Sequence, residues 1–497
     1  MGRSDFLTCI NKGSRAETVI INTKEIKMNR YTKLFSNTLI LALGTFGSKF
    51  LVFFMMPLYT ACLAPEEYSM ADLISQTANL LIPFACAGIA DGVFRFAMEE
   101  GENKKAVFSS GLFVLLSMSG LFLLLSPLLN FYNMLDGYVW LVVLYVLAAN
   151  LHSVVAQYIR AKGNMSLFSL GGIIGTALTI AFNLLFLLVF DMGVNGYVLS
   201  VIRGDVLVTV FLVLVSRVWR DVDVRAVGKT KISEMLKYCV PMIPTTIFWW
   251  ITSVSDRFLV IAMKGSEVNG LYAAAYKAPT LLTLFCTVFI EAWQFSAVLE
   301  KDEEERSAFF TRVFAGFQGL IFMAASALVL LAIPVTKILL ADGYFESWKY
   351  IPPLALAMAY SALVTFLGSV YMVRKKSVYS FLTAAIGATV NIVFNILLIP
   401  KYSAMGAAIA TFISYFVVLL IRGVHTVRLV KFDLGVPRLI FNTVALVGQS
   451  ALMLSTLDLR YLFSALIFGA ILLVNGRVIL DAVIEAIGNL KKKMKKS

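Results

Sequence analysis

Long apolar runs alternate with short polar gaps from about residue 36 almost to the end of the chain. A membrane-crossing helix needs about 20 apolar residues, and by that measure about fourteen runs qualify. They lie near residues 36–60, 70–98, 106–131, 137–158, 165–190, 193–217, 235–263, 268–298, 308–338, 350–373, 378–400, 403–428, 438–456 and 459–484. Several are longer than an upright span requires, which predicts tilt or extension beyond the bilayer. Soluble domains are about 45–50% apolar and about 25% charged; this chain is 59% hydrophobic and 15% charged. A single globular core cannot hide that much apolar surface. The pattern predicts an all-α polytopic membrane protein.

Charge then orients the pattern. The net charge of +13 would point to nucleic acid on a soluble protein, but here Lys and Arg fall in the gaps. Lys24, Lys27, Arg30 and Lys33 precede the first span; Arg160 and Lys162 follow the fourth. Arg217, Arg220, Arg225, Lys229, Lys231 and Lys237 follow the sixth. Arg374, Lys375 and Lys376 follow the tenth, and Arg428, Lys431 and Arg438 the twelfth. The intervening gaps carry Glu66, Glu67 and Asp191. If every run crosses, all basic gaps share one side, and the positive-inside rule puts both termini in the cytoplasm. The lysines at 491–493, 495 and 496 are placed to meet anionic headgroups. The charged gap near 298–307 reads as a solvated helix extension or turn.

Five scattered cysteines without a CxxC, and only two histidines, exclude a structural zinc site. The first 27 residues lack a signal-peptide core and are expected to be dispensable. The outer gaps leave no room for a soluble domain.

Segments recur in order. Pro65-Glu66-Glu67-Tyr68-Ser69, leading to Leu80-Leu81, matches the segment from Gly265 to Gly270, leading to Leu281-Leu282. Phe182-Asn183-Leu184-Leu185 matches Phe394-Asn395-Ile396-Leu397. Six spans separate the members of each match, so two six-helix halves share one orientation. The expected division is a cytoplasmic segment 1–35, an N-lobe 36–217, a basic linker 218–234, a C-lobe 235–428, two further helices within 438–484, and a basic tail 485–497.

Certain residues carry a resemblance: Asn37-Thr38, Pro57-Leu58-Tyr59, Pro65-Glu66-Glu67-Tyr68, Ser255-Asp256-Arg257-Phe258 and the run Tyr272 to Lys277. With their order and spacing, the chain resembles the polysaccharide transporter family, the Wzx-type flippases, of the multidrug/oligosaccharidyl-lipid/polysaccharide exporter superfamily. Ser69 stands where that family usually has glycine. The resemblance implies two six-helix lobes in a V around a central cavity. It also implies movement of undecaprenyl-pyrophosphate-linked oligosaccharide from the inner to the outer leaflet of a bacterial cytoplasmic membrane. In the related lipid II flippases, the last two helices can form a groove for the lipid tail.

Ionisable groups at membrane depth are costly and face a cavity or one another. Lys49, Arg95, Arg257 and Lys277 are the expected pyrophosphate-binding cations; Asp91, Asp256 and Glu291 are the expected coupling carboxylates. Asp91 and Arg95 share a face and read either as an internal ion pair or as an anion site. Asp256 reads as support for Arg257 or as a coupling group. Arg203 and Asp205 project to nearly opposite faces, and Arg312 lies near the cytoplasmic mouth. Asn183, Asn391 and Asn395 read as interhelical hydrogen bonders, His152 as a packing residue or proton relay, and Trp249, Trp250 and Trp293 as packing or sugar-stacking residues. No cofactor or metal is expected, with proton or sodium coupling open. The expected partners are polyprenyl-pyrophosphate-linked oligosaccharide and membrane lipids, with other polysaccharide-assembly proteins as further candidates and no nucleic acid. The alternatives are a lipid II flippase, a cation-coupled multidrug exporter, or a membrane glycan polymerase. The last would be an enzyme, and it is disfavoured by the short outer gaps and the lack of a P-loop or catalytic constellation.

The topology is open to test by cysteine labelling in a cysteine-free background. Positions 229 and 492 should react only from the cytoplasm and position 66 only from outside; external labelling at 229 or 492 would reverse the orientation.

Overall fold

A computed structural model describes residues 53–494 except 100, 132, 136, 300–302 and 375. Among them every regular element is a helix. In chain order these are α1 (Met56–Cys62), α2 (Pro65–Ala85), α3 (Ile89–Ala97), α4 (Lys104–Leu125), α5 (Val139–Ala161), α6 (Met165–Asn183), α7 (Gly193–Ser216) and α8 (Lys229–Cys239). There follow α9 (Ile243–Lys264), α10 (Ser266–Leu299), α11 (Glu303–Leu330), α12 (Ala332–Leu339), α13 (Ile351–Val373), α14 (Ser377–Val430), α15 (Val436–Leu454) and α16 (Arg460–Met494).

By length and composition, 10 described helices can cross a membrane, or 11 if the bent pair α2–α3 is one span. With α14 divided and α10 added to those eleven, thirteen of the fourteen expected runs have a helix among the described residues; the remaining one is the run 36–60. Most of that last run, including Lys49, lies outside the described residues. α14 divides because Ser403, three residues after Pro400, has φ 55° and ψ −143°. α2 and α3 meet at 55° rather than continuing as one straight run over 70–98. Pro83 lies in the last turn of α2, and Ala87 (φ 50°) and Gly88 (φ 65°) reverse the backbone after it.

The two halves pack alike. In the first, α5 lies against α2, α3, α6 and α7; in the second, α14 lies against α9 and α13, and α13 against α10. Each half has its own apolar core, including Val93, Phe108, Tyr158 and Val208 in one and Phe314, Phe317, Phe366 and Leu363 in the other. Apolar side chains also point outward in number, with Leu124 76% and Leu473 80% exposed, as a lipid-facing surface requires.

α15 and α16 stand outside both lobes and pack on α11. Hydrocarbon gives helices no hydrophobic reason to associate, so polar side chains hold them. Asn442 and Asn475 exchange amide hydrogen bonds of 3.0 and 2.7 Å. Gln449 Nε2 donates to Ser464 Oγ at 3.0 Å and to the Ser326 carbonyl at 3.1 Å, while Ser326 Oγ donates to Gln449 Oε1 at 2.6 Å.

The linker 218–234 is built structure rather than loose chain, because α8 begins at Lys229 inside it. Its turn centres on Asp221, whose carboxylate accepts from Lys162 Nζ at 2.7 Å and Tyr158 Oη at 3.1 Å. Burial pushes this carboxyl's pKa up, but Lys162, Tyr158 and Lys105 outweigh burial and hold it below its ordinary value.

The lobes meet where α10 crosses α2. Asn269 Nδ2 donates to Ser69 Oγ at 2.9 Å. A Cβ on Gly270 would stand 1.9 Å from the Pro65 carbonyl oxygen, so only glycine permits the crossing. Gly270→Ala should therefore force this end of the lobes apart. A disulfide joining Ser69→Cys and Asn269→Cys should form at least tenfold more slowly with alanine at position 270 than with glycine.

Candidate functional site

Three helices converge just inside the α2–α10 crossing. Asp72 lies seven residues into α2, Arg257 seven residues before the end of α9, and Lys277 eleven residues into α10. At 1.5 Å per residue these depths are about 10, 10 and 16 Å from that end. Arg257 Nη1 donates to both oxygens of Asp72, at 2.8 and 2.7 Å. Lys277 Nζ lies 4.0 Å from Asp72 Oδ1. The Arg257–Asp72 pair is closed to solvent, with side chains 7% and 5% exposed, whereas Lys277 is 32% exposed. Arg257 also lies over the Tyr276 ring at 4.7 Å, and its buried Nε has no hydrogen-bond partner among the described residues.

Lys277 opens into a cavity of about 430 Å³ between the lobes. Tyr59 and Tyr68, Thr176 and Tyr197 line it from the first half, and Thr280 and Thr283 from the second. The tyrosines are fixed by each other, with Tyr59 and Tyr197 edge to face at 4.8 Å, and by Asn183 Nδ2, 3.1 Å from Tyr59 Oη. One cation, several hydroxyls and aromatic faces make a surface that can hold an anionic, hydroxyl-rich group.

Asp256 turns away from Arg257's partner and into the second lobe. Its carboxylate accepts from Tyr272 Oη at 2.5 Å, Thr411 Oγ1 at 3.2 Å and the Arg257 backbone N–H at 2.9 Å. Asn391 Nδ2 donates to Thr411 Oγ1 at 3.4 Å, and Asn395 Nδ2 to Asn391 Oδ1 at 2.8 Å. Asn395 Oδ1 is buried without a partner among the described residues. These oxygens surround one buried carboxylate, a donor set suited to a proton or a small hard cation.

The structure thus brings Arg257 and Lys277 together, and Arg95 does not join them. Arg95 stands on α3, 54% exposed, and pairs with Glu99 at 3.0 Å rather than with Asp91. Asp91 is exposed on the same helix. Lys49, and the side chains of Glu291 and Trp293, lie outside the described residues. Arg203 lies over Phe186 at 4.9 Å and does not pair with Asp205. Arg312 is exposed, and His152 Nδ1 is buried without a partner among the described residues. Trp250 packs on Phe258.

Two residues escaped sequence reading. Asp72 lies only two residues inside the expected run 70–98, whereas α2 begins at Pro65 and carries it seven residues into the helix. Arg422 lies inside the run 403–428 and is not singled out, yet it is 2% exposed. It donates to Thr383 Oγ1 at 3.0 and 2.8 Å and to the Val364 carbonyl at 2.8 Å, and it lies over Trp249 at 5.0 Å. Gly368 makes room for it, since a Cβ there would be 2.5 Å from Nη1.

Residues 34–294 match the family model described as polysaccharide biosynthesis protein, more than half of the chain. The chain belongs to this family. No curated protein sequence matches it. Among solved structures, the lipid II flippase MurJ in an inward closed conformation is similar with TM-score 0.67 at 16% identity, over 90% of this chain and 100% of that one. A multidrug resistance MATE family transporter of the MOP superfamily, inward-facing, gives 0.64 at 14% identity, over 80% and 98%. An outward-facing MATE structure gives 0.57 at 13%, over 80% and 95%. This member of the polysaccharide biosynthesis family is therefore a multi-pass membrane protein with the fold of transporters and flippases.

The Asp72–Arg257 pair makes a quantitative prediction. Removing one partner of a buried pair leaves a bare charge, at about 3–5 kcal/mol. Asp72→Ala should lower the unfolding temperature of the detergent-purified protein sharply. Asp72→Ala with Arg257→Met should recover most of that loss; equal loss in the single and double variants would show that the pair does not carry it.

Proposed function

We propose that the protein is a flippase that carries a polyprenyl-pyrophosphate-linked oligosaccharide across a bacterial cytoplasmic membrane by alternating access. The observation that carries this reading is Lys277. It is the partly open cation of the Asp72–Arg257–Lys277 cluster, and it faces a cavity of hydroxyls and aromatic rings between two lobes. A pyrophosphate needs compensating positive charge while it crosses hydrocarbon, and a glycan needs hydroxyl partners and ring faces. The polyprenyl chain can stay in lipid outside the lobes. A site for cationic drugs would present free carboxylates instead, and Asp72 is already neutralised by Arg257. Family membership supports polysaccharide assembly as the setting.

In the proposed orientation the basic gaps and both termini are cytoplasmic, and the α2–α10 crossing lies on the outer side. The described state is then closed outside. Opening outward requires Ser69–Asn269 and the Asp72–Arg257 pair to separate, and an incoming pyrophosphate offers Arg257 and Lys277 a substitute for Asp72. Resetting is assigned to Asp256, with Thr411, Asn391 and Asn395 supplying oxygens to a proton or sodium ion.

Purified protein in liposomes with lipid-linked oligosaccharide tests this. Lys277→Gln should weaken substrate binding at least tenfold while leaving thermal stability near wild type. Asp256→Asn should keep binding but lose acceleration by a proton or sodium gradient. Wild-type binding and flipping by Lys277→Gln would overturn the cargo assignment, and unchanged gradient dependence in Asp256→Asn would overturn the coupling assignment alone.

A further inference from the structure

Two carboxylates at membrane depth have partners: Asp72 has Arg257, and Asp256 has Tyr272 and Thr411. Asp205 is different. Its carboxylate makes no hydrogen bond or ion pair among the described residues. It stands in α7, about 18 Å from Gly193 and about 17 Å from Ser216 at 1.5 Å per residue, near the middle of a hydrocarbon core about 30 Å thick. Arg203, two residues before it, points about 160° away and lies over Phe186.

α5 brings a second titratable group to the same level. One span, α6, separates α5 from α7, so the two run the same way. His152 is about 20 Å from the start of α5 at Val139, and its ring rests against the backbone carbonyl of Asp205. Thr209 Oγ1 donates to that carbonyl at 2.6 Å. His152 Nδ1 is buried and has no partner among the described residues. Tyr145, two turns earlier on the same face of α5, stands near the carboxylate.

The other charged groups on the packed helices are placed elsewhere. α6 carries no titratable side chain. On α2, Glu66, Glu67, Tyr68 and Asp72 all fall in the first eight residues, toward the outer end, and Asp72 is held by Arg257. On α5, Tyr158 donates to Asp221 and Arg160 lies over Phe94, both toward the cytoplasmic end. On α7, Tyr197 lines the central cavity. The repeat aligns Phe182 with Phe394, and hence Asp205 with Val417, so the second lobe has no equivalent carboxylate.

We propose that Asp205 and His152 form a proton-binding site at the middle of the first lobe. An unpaired charge in hydrocarbon is costly, and a carboxylate without a cation sheds that cost by taking a proton. Imidazole exchanges protons between about pH 5 and pH 8. A proton arriving on the free Nδ1 makes an imidazolium, and its transfer to a carboxylate oxygen of Asp205 leaves both groups neutral. Both side chains are half-buried, so the site is not sealed against exchange. A hard metal cation takes about six oxygens, whereas the groups beside this carboxylate are a phenol and an imidazole. The site is separate from Asp256 and is defined by proton binding, so it does not rest on the transport reading.

The test uses full-length protein in nanodiscs without substrate. Infrared difference spectra between about pH 8 and about pH 5 report protonated carboxyl groups, and a pH jump in weak buffer reports how fast they fill. Wild type should show a protonated-carboxyl band that Asp205→Asn lacks, with a correspondingly smaller proton uptake. Asp205→Glu should restore the uptake with a displaced band, which separates proton binding from folding. His152→Gln should keep the band but fill it about tenfold more slowly, as loss of a proton-transfer group requires. The same band in Asp205→Asn as in wild type would overturn the proposal, and an unchanged filling rate in His152→Gln would overturn the assignment of His152. Sodium that abolishes the band at constant pH would reassign the site to a metal ion.

Discussion

The buried pair between Asp72 and Arg257 is the constraint on which the arrangement depends. It joins helices from opposite lobes, where neither charge can reach water without the lobes parting. In hydrocarbon an unpaired charge is far costlier than a paired one, so the pair couples the fold to the conformational state. A purely apolar contact would hold the lobes without any such link to an anion. Here the bond that closes the protein is made of the same chemistry as the cargo it is proposed to carry.

Around that pair the protein divides its charged groups by task. Lys277 keeps part of its surface in the cavity, while Asp256 is surrounded by hydroxyls and amides of the second lobe. Arg422 is stabilised differently again, by aromatic faces and neutral acceptors. Adjacent residues such as Asp256 and Arg257 serve different networks because a helix turns about 100° between them. The proposed opening motion would therefore break one network while leaving the other whole.

Much of this was legible in sequence, for definable reasons. Apolar run length gives the helices because the bilayer imposes a fixed thickness, and the repeat gives two halves because equivalent segments occupy equivalent places. Arg257 and Lys277 stood out because they interrupt apolar spans. What sequence could not give was pairing. Asp91 and Arg95 have ideal spacing for each other, yet Arg95 pairs with Glu99. Asp72 was overlooked because its partner is 185 positions away and its own neighbourhood is unremarkable. Bends were also hidden: the reversal at Ala87 and Gly88 and the break at Ser403 arise from single backbone angles inside continuous apolar text.

The first pair of repeated segments is offset by 201 residues, which makes Gly270 the counterpart of Ser69, yet Ser69 bonds Asn269 and Gly270 lies on Pro65. Equivalent residues of the two halves therefore do not face each other at the crossing. A true twofold contact would let one substitution repair both sides at once. Here a change on either half meets a residue of different ancestry, so the two halves cannot be exchanged at this point.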